Sequence, residues 1–106
     1  MNRAIISAAL CFLSGPSHAA IIAGNYPICT TRQEITDFSQ AKIFGDVEKM
    51  STMVNDGSCT FVAPNAWATV LDPGAFPKVL VTIPHKPPIT GYTVNDNFKG
   101  KTLVDN

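Results

Sequence analysis

The spacing of apolar positions changes twice along this chain, and each change marks a different kind of segment. Behind Arg3, residues 4–13 form an uncharged, mostly apolar run. Gly15-Pro16 then breaks any helix, and Ser17-His18-Ala19 ends on a small residue ahead of Ala20. A basic start, a short apolar stretch and an A-x-A-like site make the pattern of a secretory signal. Residues 1–19 are therefore expected to be removed, with cleavage near Ala19, leaving 20–106 as one small domain. A membrane-spanning helix needs about 20 apolar residues, and this run has half that. Cys11 does not make a lipoprotein site, because Leu10 stands where a small residue is required.

Past a lead-in over 20–27, the period becomes helical. Thr31-Arg32-Gln33-Glu34 has the S/T-x-x-E form of a capping box, and Ile35, Phe38 and Lys42/Ile43 follow at helical spacing. Gly45-Asp46 interrupts, and Asp46 can cap a second stretch whose Val47, Met50, Met53 and Val54 share one side. Asn55-Asp56-Gly57 ends it, with Gly57 suited to a left-handed position. Residues 31–56 thus predict a broken helix or a short helical hairpin with a narrow apolar stripe.

From 58 to 98 the period shortens to that of strands. Thr60-Phe61-Val62, Trp67 to Leu71, Lys78 to Ile83 and Thr90 to Val94 are β-rich runs. Turn chemistry separates them: Ala63-Pro64-Asn65-Ala66, Asp72-Pro73-Gly74, and Pro84-His85-Lys86-Pro87-Pro88. The expected class is α+β, a helical segment packed on a small antiparallel sheet or partly closed barrel.

Cysteine usage supports the export reading. Cys11 leaves with the leader, so three cysteines become the pair Cys29 and Cys59, and an even count in an exported chain reads as a disulfide. In the chain-entropy model, closing a loop of that size is worth roughly 3.5–4 kcal/mol. A metal site would need more ligands, and 20–106 hold one histidine, His85, with no C-x-x-C spacing. No cofactor is expected either. Charge is nearly balanced, with eight basic and eight acidic side chains in the whole chain. No basic run points to nucleic acid and no amphipathic basic helix to a membrane surface.

The stretch from Cys59 to Phe98 resembles a minimal bacterial SH3-like barrel. The matching residues are Val62-Ala63-Pro64, Ala68-Thr69-Val70-Leu71, Val79-Leu80-Val81 and Gly91-Tyr92-Thr93-Val94. With the helical segment in front, the chain is similar to small exported bacterial proteins that place helices before such a barrel. The sequence departs from the family where Thr93 replaces an apolar residue and where the proline-rich segment 84–88 is inserted. The resemblance implies a non-catalytic envelope or secreted module that binds another protein or peptidoglycan, with an inhibitor or immunity-type factor as a specialised form.

For chemistry, the alternative is a small secreted hydrolase resting on His85, which would need a nucleophile and an orienting acid beside it. Asp56 and Asp96 sit in turn sequences that favour Asp for backbone hydrogen bonding alone. Trp67 and Tyr92 can serve as core or as a binding face. With His85, Pro87 and Pro88 they form the candidate binding surface. Intact-mass analysis of cell fractions is expected to find a chain starting near Ala20 outside the cytoplasm. Recovery of only uncleaved chain from the cytoplasm contradicts export.

Overall fold

A two-residue strand, Ile28–Cys29, lies between the two halves of this α+β structure. The computed structural model describes residues 18–99. The leader expected over 1–19 lies outside the described residues except for its last two positions.

The helical hairpin forms where its caps place it. The Thr31 hydroxyl accepts from the Glu34 amide (3.1 Å), and the Thr31 amide donates back to the Glu34 carboxylate (3.0 Å). This capping box opens α1, Arg32–Phe44. Gly45 ends α1 in the left-handed conformation, at φ 73°. Asp46 then accepts from the Lys49 amide (3.1 Å) and opens α2, Val47–Asn55. Only Ile35, Phe38, Ala41 and Met53 are buried. Ile43 and Val47, expected on the apolar stripe, are exposed instead. The reason is the short reach of the sheet: the hairpin rests on β2 (Ile28–Cys29), on β3 (Cys59–Thr60) and on the end of β6 (Ile89–Tyr92), and its far end overhangs them.

Three expected β runs are present as β4 (Trp67–Asp72), β5 (Lys78–Thr82) and β6, whereas of the run Thr60-Phe61-Val62 only Thr60 is in a strand, in β3. Two strands were not expected. His18–Ile21 forms β1, where the sequence suggested the end of a leader and a lead-in, and Ile28–Cys29 forms β2. The antiparallel sheet runs β1-β4-β5-β6-β2-β3. It is open, with β1 and β3 at opposite edges, so the sheet is not closed into a barrel. On β4 and β5, Ala68, Val70, Val79 and Val81 point into one core with Ala20, Ile22, Ile28 and Phe98. Cys29, Ile35, Phe38, Met53 and Cys59 form a second core under the helices. Successive strand residues face opposite ways, so β2 sends Ile28 into the first core and Cys29 into the second.

The Cys29–Cys59 disulfide is formed, directly across the β2–β3 pair. It closes the base of the helical hairpin. Beside it, β6 approaches β2 so closely that a Cβ on Gly91 would sit 2.5 Å from the Cys29 carbonyl oxygen and 2.8 Å from Ile28 Cγ2. Only glycine fits there.

A buried polar cluster ties the lead-in to the C-terminal end. The Asn97 side chain donates to the Thr93 hydroxyl (3.0 Å) and accepts from the Gly24 (3.0 Å) and Tyr26 (3.3 Å) amides. Thr93 donates in turn to the Pro27 carbonyl (3.0 Å). Both side chains are fully buried and each bond satisfies a group that would otherwise be stranded. These bonds account for a polar side chain at this fully buried position. Asn97→Ala strands two backbone N–H groups and is expected to cost about 2–4 kcal/mol. Gly91→Ala should destabilise comparably through the forced shift of β2. Urea unfolding of the oxidised proteins measures both, with Lys49→Ala on the exposed face of α2 as an unaffected control.

Candidate functional site

The antiparallel register separates the two aromatic residues singled out in the sequence. Trp67 begins β4 opposite Thr82, at the end of β5, whereas Tyr92 ends β6 opposite Lys78, at the start of β5. Four residues of strand put them on the order of 13 Å apart along the sheet. Trp67 is 60% exposed on the face away from the first core. Tyr92 is half-buried against the helix core, with the Arg32 guanidinium 4.8 Å above its ring. They do not form one patch. The turn holding His85, Pro87 and Pro88 joins β5 to β6 near Trp67, and all three residues are exposed.

That turn does border a site. Pro84 precedes His85, whose φ of 65° is left-handed, and the Lys86 amide donates to the Ile83 carbonyl (3.2 Å). Proline followed by a positive-φ residue is the type II turn arrangement, and histidine is one of the few residues besides glycine found at such angles. Facing it, the loop after β3 is held by the Asn65 amide, which donates to the Ile22 carbonyl (2.8 Å). Between loop and turn lies a groove of about 490 Å³, lined chiefly by Phe61, Pro64, Ala66, Ile83, Pro84 and Ile89, with Lys86 at its side. Trp67 and Tyr92 do not line it.

Phe61 is the residue that sequence reasoning missed. The sequence pattern places it in a strand, but it follows β3 in irregular backbone, 48% exposed. Its ring meets Phe38 edge-on at 5.9 Å between centroids. It also lines a second, shallower hollow of about 260 Å³ with Phe38, Val47, Met50 and Val54. Phe44 at the end of α1 is 83% exposed. The available signal was Phe61 standing directly before the Val62-Ala63-Pro64 turn run, next to a strand too short to bury it.

Among the described residues, no side-chain hydrogen bond joins His85 to a hydroxyl, thiol or carboxylate. No group of three or more His, Cys, Asp and Glu residues among them could hold a metal ion. No helix among them is long and apolar enough to cross a membrane. Compared with protein-family models, curated proteins and solved structures, the chain matches none.

Among the described residues, the carboxylates with lowered proton affinity belong to the caps. The Thr30 hydroxyl, followed by the Thr31 hydroxyl and amide, holds Glu34 below the usual carboxylate range. The Ser58 hydroxyl and amide do the same for Asp56 at the other end of the hairpin. A lowered folded pKa means the ionised form stabilises the fold, so this stability is present at neutral pH and is lost as pH falls through the folded value. Thermal melts are expected to fall more steeply below about pH 4.5 for the native chain than for Glu34→Gln. Equal slopes would remove Glu34 from the cap's pH response.

Proposed function

We propose that this is an exported, non-catalytic interaction protein whose groove takes an extended segment of a protein partner. The observation that carries the reading is the apolar groove between 60–66 and 83–89, walled by prolines on both sides. Ligand sites are typically concave, mostly apolar and edged by a few polar groups, and this groove has that make-up. Proline walls are stiff, so little conformational freedom is lost when a segment docks. The insertion over 84–88, which sets the chain apart from the SH3-like pattern it resembles, supplies one wall. In this reading the domain is an SH3-like roll held open, with the helical hairpin occupying the edge where closure would occur. An inhibitor or immunity-type role, in which the groove clamps a loop of a secreted enzyme, is its specialised form. The export half rests on the leader pattern and on a disulfide, a bond that persists chiefly in oxidising compartments.

The hydrolase alternative needs His85 to activate a nucleophile, and His85 stands on an exposed turn outside the groove lining. Titration of the isotopically labelled, oxidised domain with extended apolar peptides is expected to shift amide signals over 60–66 and 83–89. Phe61→Ala should weaken that binding about tenfold with the fold intact, as for a central aromatic contact. Shifts confined to Trp67 or Tyr92, or ester hydrolysis abolished by His85→Ala, would overturn the reading.

A further inference from the structure

The groove's charge is one-sided, and this narrows what it takes. Lys86 lines it directly. On the facing side, the Lys99 ammonium donates to the side-chain oxygen of Asn65, which also lines the groove (2.5 Å). No Asp or Glu is among the lining residues. Among the described residues the ion pair is Arg32 with Asp72, remote from the groove, and neither Lys86 nor Lys99 makes one.

The backbone of both lysines is held in place. Lys86 belongs to the turn pinned by its amide's bond to the Ile83 carbonyl, and the Lys99 amide donates to the Ile21 carbonyl on β1 (2.8 Å). An ammonium has three donors and Asn65 engages one of those on Lys99, leaving others for an incoming acceptor. An apolar trough flanked by two lysines that make no ion pair is complementary to an apolar side chain with a carboxylate next to it. We infer that the groove selects an extended peptide in which a bulky apolar residue is adjacent to an aspartate or glutamate, the carboxylate reaching Lys86, Lys99 or both. This rests on the groove-binding reading and adds to it the charge of the partner. Charged contacts at the rim chiefly set on-rate and selectivity while the apolar contact supplies affinity, so the preference should be salt-sensitive.

The test uses three synthetic peptides sharing one apolar residue, flanked by glutamate, by glutamine or by lysine. Each is titrated calorimetrically into the full oxidised domain at low and at physiological salt. The glutamate peptide is expected to bind about fivefold more tightly than the glutamine peptide, with the lysine peptide weakest, the order expected when one charge-assisted bond is lost and then reversed. The gap should narrow at the higher salt. In the Lys86→Gln, Lys99→Gln double variant, with folding checked by circular dichroism, glutamate and glutamine peptides should bind alike, whereas Phe61→Ala should weaken all three. Equal binding of the three peptides to the native domain would overturn the charge selection while leaving groove binding standing. Binding of none would overturn both. A soluble peptidoglycan fragment that occupies the groove in place of the peptides, or a dimer seen by sedimentation and lost with Phe61→Ala, would also overturn it.

Discussion

Everything in this small structure depends on β2, a strand of two residues with one side chain in each core. Ile28 packs with Val79, Val81 and Phe98 on one face of the sheet, and Cys29 packs with Ile35, Phe38 and Met53 on the other. So short a strand cannot hold its place by ladder hydrogen bonds alone. Three constraints hold it instead: the disulfide to Cys59 across the β2–β3 pair, the glycine at 91 that lets β6 lie against it, and the Thr93 bond to the Pro27 carbonyl just before it. Each acts on a different neighbour, so displacing β2 disturbs the helices, β6 and the C-terminal end together.

The groove is a product of the same arrangement. The disulfide fixes β3, and the chain leaves β3 straight into the loop that presents Phe61 and Pro64. The opposite wall is set by where β5 and β6 end, because their register places Ile83 and Ile89 at the neck of the turn. Asn65 joins the two systems: its amide is bonded to Ile22 beside the first core and its side chain to Lys99. A groove built on elements locked this way has preformed geometry.

Much of the fold was legible in the sequence because its signals are local. The capping box at Thr31 and Glu34, the break at Gly45-Asp46 and the alternation over β4 and β5 each depend on residues a few positions apart. The disulfide followed from counting. What was not legible is non-local. Nothing in Ala19-Ala20-Ile21 shows that β4 will pair with it, and two residues of β2 are too few to carry a period. The candidate surface failed to assemble as one patch for the same reason. Trp67 and Tyr92 are both large aromatics on strands, but register alone decides that they stand at opposite ends of β5. The 84–88 segment stands out in the sequence for its prolines, yet the groove's other wall, Phe61 to Ala66, is distant in sequence and becomes its partner only through the sheet.

The central claim is that β2 and its disulfide bind the two cores into one cooperative unit. Native-state hydrogen exchange with the disulfide intact and after reduction tests it most directly. The claim predicts that reduction lowers protection at Val79 and Val81 of β5 by the same factor as at Ile35 and Phe38 of α1, because both cores open only with the whole domain. Loss of protection confined to α1 and α2, with β5 unchanged, would contradict it.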